Sequence, residues 1–552
     1  MRHTIAIALL ASSTAAVAGD SWTPAALWEA WPQARAVPTA APCLRHAELL
    51  ERMRALESRH GGRLALETIG QSFEGRPIQQ MTLGGGPRKV LLWSQMHGDE
   101  PSATPALLDA ADYLLSHAAE PSAARILERL TLIMIPMLNP DGTERYQRRN
   151  AQAIDVNRDA LNLATPEGNL LKAVRDRHAP ELGFNLHDQN RRTTVTGTGA
   201  LASIALLAVS GDAEGTVTPG RVRAKRACTA IHHALTPFVP GGISRYDEDW
   251  SPRAFGDNLT AWGTPVVLIE TGGLPPGRPA TDLTRLDFVA LLSALADLAE
   301  DDLAGHDPGV YDALPRNETG TYADVVLRGG QVLQAPRLVP YRADVAFEAA
   351  RSDLEWADCG APRAGSRVVE VGDARLLAAR ETVDAAGAVV IPALVVSVQG
   401  LPARSWLTRP ALDALAGLGV ATVRWHVALA DRGPAQEHAR GLAAVGRPAL
   451  VVVAEEDAPA ALVLKKAPST AAAATLGAAF DALVGRRWRE GRDGFAAQAL
   501  LGPATPGTRN TPITLDAPAD LALLRGPIGE TLDPDQLRLE GVWIEGRAVP
   551  RP

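Results

Sequence analysis

The chain has 552 residues, 46% hydrophobic and 21% charged, values near those of ordinary globular domains that exclude intrinsic disorder and fibrous repeats. At roughly 150 residues per domain the length suits two to four folded units. Fifty-five basic residues against 63 acidic ones give a net charge of −8, which offers no broad cationic face, so nucleic acid is not an expected partner.

Arg2 and His3 precede an apolar run from Thr4 to Val17, and Ala16-Val17-Ala18 has the small-x-small form that signal peptidase accepts. Residues 1–18 are read as a cleaved leader of an exported protein, periplasmic or extracellular. The next best apolar run, Gly199 to Val209, is far short of the roughly 20 residues a bilayer span needs, so no membrane span is expected in the mature chain. Three cysteines (Cys43, Cys228, Cys359) allow at most one disulfide and form no CxxC motif.

Spaced apolar positions over 43–60 predict an amphipathic helix. Val90–Trp93, Leu130–Leu138 and Pro265–Ile269 are short apolar runs separated by helix-like stretches, and Leu286–Leu298 reads as a closing helix. The expectation is an α/β first domain over 19–305, a linker at 306–320 and a second domain over 321–552. There, Asp324–Leu327, Gly329-Gly330 and Val332-Leu333 read as strand, turn, strand, with further strands at Val368–Val371, Ala388–Ile391 and Ala449–Val453.

His97-Gly98-Asp99-Glu100 directly follows the strand at Val90–Trp93, where a sheet edge presents side chains to a crevice. A catalytic zinc takes about three imidazole or carboxylate ligands and leaves a position open for water, and His97 and Glu100 could supply two. Alone, HxxE arises by chance about once in a chain this long. Four further segments follow in order: Asn139-Pro140-Asp141-Gly142, then Arg148-Arg149-Asn150 with Asp155-Val156-Asn157-Arg158, then Asn185-Leu186-His187, then Ile269-Glu270-Thr271-Gly272.

Over about residues 45–300 this order resembles the zinc carboxypeptidases, the M14 metallopeptidases, and Gly70-Gln71-Ser72 with Glu74-Gly75-Arg76-Pro77-Ile78 resembles that family's entry strand. The resemblance implies a mixed sheet flanked by helices, and one Zn2+ per chain held by His97, Glu100 and His187. It makes Glu270 the general base and later proton donor, and Asn157 with Arg158 the grip on a substrate's terminal carboxylate. Arg148 is the candidate for polarising the scissile carbonyl, with Arg149 as its rival. Tyr246 matches the substrate-capping tyrosine, and Arg253 and Asp257 could line the specificity pocket or pair with each other. Asp159 stands where many members have Asn, and its charge could weaken carboxylate binding or hold Arg158 in place, while Asp188 after His187 could orient a ligand or touch substrate. His178, His232 and His233 lack motif context.

The implied activity is a metallocarboxypeptidase acting on peptides or on peptidoglycan-derived stem peptides. Two alternatives keep the same residues: an aspartoacylase-like N-acyl amino acid deacylase, against which the Asn139–Gly142 segment argues, and a non-catalytic peptide-binding relative.

The second half is similar at its two ends, 321–395 and 510–550, to the small β-sandwich of amidohydrolases, with a short α/β insert between. The HxH metal pair of that family is missing: Leu394-Val395-Val396-Ser397-Val398-Gln399 stands there, with only His426 and His438 after it. An accessory, metal-free domain is the expectation.

Overall fold

The computed structural model describes residues 22–36, 43–246, 250–332, 341–348 and 367–384, and beyond these only strands up to residue 548. The leader expected at 1–18 lies outside the described residues.

Chain order begins with helices α1 (Pro24–Ala34) and α2 (His46–His60), the hairpin β1 (Leu64–Gln71) and β2 (Pro77–Leu83), and β3 (Arg88–Ser94). Then come α3 (Ala103–Ser116), α4 (Pro121–Arg129), β4 (Leu130–Ile135), α5 (Pro140–Glu144), α6 (Pro166–His178), β5 (Leu182–Asp188), β6 (Thr194–Val195) and β7 (Ile204–Ala208). The unit ends with α7 (Pro219–Leu235), β8 (Ile243–Arg245), α8 (Phe255–Ala261), β9 (Val266–Thr271), α9 (Thr281–Asp301), α10 (Pro308–Asp312) and β10 (Asn317–Glu318). Three of the helices start Thr-Pro: Thr23, Thr165 and Thr218 each cap a free amide with the hydroxyl, and proline occupies the first helical position, where no amide is needed.

Eight strands form one mixed sheet in the order β1-β2-β4-β3-β5-β9-β7-β8. Its centre, β4-β3-β5-β9, is parallel. Both faces are covered, so these strands are continuous apolar runs, as a two-sided sheet requires. Along β3, Val90 and Leu92 enter one core with α1, α3, α7 and α9, while Leu91 and Trp93 enter the other with α6 and α8. Helix α9 runs beyond the expected 286–298, over Thr281–Asp301, and is buried along most of its length. The segment 70–78 is not a single strand: Gly70-Gln71 ends β1, residues 72–76 form the turn, and Pro77-Ile78 opens β2.

Residues 306–320 do not form a free linker. Helix α10 packs on α7, Tyr311 is fully buried with its hydroxyl accepting the Ala208 amide at 3.1 Å, and β10 pairs with β6.

After it, β11 (Tyr322–Val332), β12 (Tyr341–Glu348), β13 (Arg367–Gly372), β14 (Ala378–Asp384) and β15 (Ala388–Pro392) join strands 521–525, 538–544 and 547–548 in a second sheet. Both ends of this half thus share one sheet, through antiparallel pairing of β15 with strand 521–525. A separate four-stranded parallel sheet comes from 394–399, 420–427, 449–454 and 463–464. The expected strand-turn-strand at 324–333 is instead one strand. The register against β12 slips between Leu327 and Gly330, and Gly329 takes a positive φ of 67°, so the Gly-Gly pair makes a bulge and not a reversal.

Truncating Tyr311 to alanine removes a buried ring and should cost about 3–5 kcal/mol. Urea denaturation followed by near-UV circular dichroism checks this, and a change below about 1 kcal/mol would mean that α10 is not part of the first core.

Candidate metal centre and active site

Strands β3, β5 and β9 run parallel and end at one edge of the sheet, and the side chains in question sit at that edge. His97 and Glu100 lie on the loop after β3, and His187 closes β5. Glu270 is the register partner of His187 on β9, so the two side chains leave the same face about 5 Å apart at their backbones.

The ligand atoms of His97, Glu100 and His187 all lie within 4.8 Å of one another, and the three residues are only 2%, 9% and 2% exposed. One Glu100 oxygen meets His97 Nδ1 at 2.8 Å and the other meets His187 Nδ1 at 2.6 Å. Two imidazoles and a carboxylate, buried and converging, form a donor set that suits a divalent zinc with room for a further ligand. The remaining nitrogen of His97, Nε2, lies 3.0 Å from Asp155 Oδ1, the outer carboxylate that fixes ring orientation and tautomer in such sites.

The glycines of two motifs explain how the loops come this close. A Cβ on Gly98 would lie 2.0 Å from the Gly142 carbonyl carbon, so the His97–Glu100 loop rests directly on the backbone of the Asn139–Gly142 turn. Asn139 caps that turn through Gly142 N–H and donates its amide to Met96 O at 3.2 Å. Asp141 accepts from Ser72 Oγ, the Glu74 amide and Arg76, which ties the β1–β2 hairpin to the same hub.

Arg148 belongs to the cluster. Its Nε donates to Asp155 Oδ2 at 2.9 Å and one terminal nitrogen to Glu100 at 3.1 Å. Both side chains are partly open to solvent, but Arg149 bonds the Ala153 carbonyl, so the two rivals differ in their partners. Asp188 contributes in an unexpected way: its backbone amide points at Glu100 Oε2 at 3.3 Å, whereas its carboxylate turns to the Ser102 amide and hydroxyl.

Asn157 is buried, and its side-chain oxygen accepts the Phe255 amide at 2.9 Å, joining this turn to the start of α8. Arg158 is exposed, with one terminal nitrogen on the Asn157 carbonyl. Asp159 does not hold Arg158; it accepts from Ala164 N–H and from Thr165 N–H and Oγ, closing the loop before α6. Asp257 accepts the Ser251 amide rather than pairing with the exposed Arg253, and burial lifts its carboxyl to about 6 against the pull of nearby Arg158. Tyr246 is partly buried against the core that α6 and α8 cover. His178, His232 and His233 stay outside the ligand group.

Electrostatics separates the carboxylates. Burial raises Glu270 well above the usual 4.5, and the neighbouring Glu100 charge adds to this. Burial and Glu100 likewise lift Asp188 to about 7. Asp155 stays below the ordinary range because His97 and Arg148 outweigh its burial. The His97 ring, though buried, is raised to about 9 by Glu100 and Asp155. Asp155 is the residue that sequence reasoning left without a role; its position two before Asn157 in the motif was the available signal.

Residues 49–170 match the zinc carboxypeptidase model of peptidase family M14. That span holds His97, Glu100, Arg148, Asp155, Asn157 and Arg158 and ends before His187 and Glu270. Similar proteins include carboxypeptidase 2 of Trichophyton rubrum, 30% identical over 128 residues, which are 21% of this chain and 23% of that one. Carboxypeptidase D of Rattus norvegicus is 29% identical over 159 residues, 26% of this chain and 11% of that one. The chain thus spans a quarter or less of the length of these relatives. Among solved structures, a metallo-carboxypeptidase from Pseudomonas aeruginosa aligns over 46% of this chain and 69% of its own, at 22% identity and a TM-score of 0.37.

Replacing Asp155 with asparagine leaves the shape but removes the charge that orients His97 and Arg148. Zinc affinity should fall roughly 10- to 100-fold, as for other outer-shell partners. Competition with a chromophoric chelator measures it, and an unchanged affinity would remove Asp155 from the centre.

Proposed function

We propose that this chain is a zinc-dependent metallocarboxypeptidase that hydrolyses the C-terminal amide bond of peptides, outside the cytoplasm. The observation that carries the reading is Glu270 in register beside His187, facing a buried His-Glu-His donor set. A zinc ion held by His97, Glu100 and His187 would supply Lewis acidity, polarising a carbonyl and acidifying water.

The protein's own groups do the rest. Glu270 takes the proton of the attacking water and returns it to the leaving amine, a task that favours a carboxylate whose pKa burial has raised. Arg148, oriented by Asp155, presents donors where negative charge develops on the carbonyl oxygen. Asn157 and Arg158 bind the terminal carboxylate, an amide beside a guanidinium. Tyr246 and Arg253 are the proposed contacts to the substrate's side chain and cap. Cell-wall stem peptides are one substrate class consistent with export. Among the described residues no helix is long and apolar enough to cross a membrane.

The test is a panel of peptides with free C-termini, the same peptides amidated, and N-acyl amino acids, each with and without chelator. Cleavage restricted to free C-termini and lost with chelator is the expected result. Turnover of N-acyl amino acids alone would favour the deacylase reading, and no turnover of any of them the binding protein.

Glu270→Gln should lower kcat by about 10²–10⁴-fold while zinc content stays at one per chain. A variant that keeps wild-type rates would displace Glu270 as the base.

The proton acceptor works only when ionised, so activity should fall as pH drops through its folded-state pKa. Because burial and Glu100 raise that value, the acid limb of kcat/KM should lie above 4.5. An acid limb at or below the ordinary glutamate value would contradict the assignment.

A further inference from the structure

The segment from Asp188 to Ala202 leaves the third ligand, His187, and returns to the sheet at β7. On one side it is stitched to the strand that bears Glu270. Gln189 N–H donates to Thr271 O at 2.8 Å, and its side-chain amide reaches Ala202 O at 3.0 Å and the Glu270 carbonyl at 3.5 Å. Here two glycines are required: a Cβ on Gly272 would lie 2.1 Å from Ala202 O, and one on Gly273 2.0 Å from Arg191 O.

On its other side the same segment is stitched to the chain beyond residue 316. β6 pairs with β10, the Thr194 and Thr321 hydroxyls hydrogen-bond, and Arg192 donates through Nε and a terminal nitrogen to Asp324 on β11, at 2.9 and 2.6 Å. Glu348, the last residue of β12, adds a second carboxylate 3.6 Å from the guanidinium. The three side chains are at most 20% exposed, so their attraction is weakly screened by solvent.

We propose that Arg192 is a positioning residue: through Asp324 and Glu348 the second sheet braces the 188–202 segment against the Glu270 strand, and so fixes the base opposite the metal ligands. A long loop with little regular structure of its own needs such an external support to hold one conformation. The guanidinium suits the task because its rigid fork binds two carboxylates with defined geometry, which an ammonium does not. The consequence for activity rests on the metallopeptidase reading; the brace itself does not.

The experiment uses the full-length, zinc-loaded protein and the variants Arg192→Ala, Arg192→Lys and the charge exchange Arg192→Asp with Asp324→Arg. Hydrogen exchange reads the brace without turnover: amides such as Val195, bonded to Ala200 O, and Ala202, bonded to Thr193 O, should exchange faster in Arg192→Ala while those of α3 keep their wild-type rates. With a cleavable peptide, kcat should fall roughly tenfold with KM and zinc content unchanged, since ångström-scale misplacement of a reacting group costs up to about 10²-fold. The lysine variant should recover part of the loss, and the charge exchange most of it.

Unchanged exchange in the segment, or wild-type kcat, overturns the proposal. So does a parallel loss of zinc and of α3 protection, which would assign Arg192 to folding alone. Should the wild-type protein cleave no peptide, the functional reading fails, and the exchange data still decide the brace.

Discussion

The structure around the site depends on how one buried carboxylate is compensated. Glu100 lies within the protein with little access to water, where an isolated charge would cost many kcal/mol. Its two oxygens are shared between two imidazoles, one guanidinium and one backbone amide. These four partners come from three parts of the chain: His97 three residues away, Arg148 48 residues away, and the adjacent His187 and Asp188 at 87 and 88. Satisfying this group therefore fixes the relative placement of the β3 loop, the end of β5 and the turn that carries Arg148. The Gly98–Gly142 contact is the steric side of the same constraint, because the loop reaches its place only if no side chain intervenes.

Several further carboxyl groups lie around Glu100. Asp155, Asp188 and Glu270 lie near it, with the fully buried Asp287 one step further out beside Asp188, against one arginine and two histidines of which His187 is driven toward the neutral form by burial. The protein divides this excess by environment. Asp155, next to His97 and Arg148, is held low; Glu270, Asp188 and Asp287 are pushed upward, first by burial and then by neighbouring carboxylates, Glu100 for the first two and Asp188 for the third. Carboxyl groups whose environments drive their pKa values apart are groups with different tasks.

Much of this was legible in the sequence because the decisive residues stand next to strong local signals. An apolar run ending in a polar motif marks a strand end, and His97, His187 and Glu270 all follow such runs, so edge placement and ligand types could be read directly. What the sequence left open were relations between distant segments. Whether Arg148 or Arg149 turned inward depended on Asp155 and on the path of the intervening turn. Asp188 acts through its amide, which residue identity does not reveal. Asp159 was read as a substrate-site charge, yet it closes its own loop through three local bonds. At 329–330 a Gly-Gly pair signalled a reversal, but strand pairing on both sides of β11 converted it into a bulge.

Because the donors lie on the ends of core strands, their convergence follows from the register of the sheet. His187 and Glu270 share a rung of the β5–β9 ladder, and one residue of slippage would turn either to the opposite face. That register is set below the site by apolar pairs such as Phe184 with Val267 and Leu186 with Ile269, all buried. The outer partner Asp155 is held separately, by the Asn157 amide that bonds Oδ1. Hydrophobic packing and hydrogen bonds within the protein thus place the donors at the sheet edge. The same packing places Glu270 in register with His187, and burial there, with the Glu100 charge, raises its proton affinity.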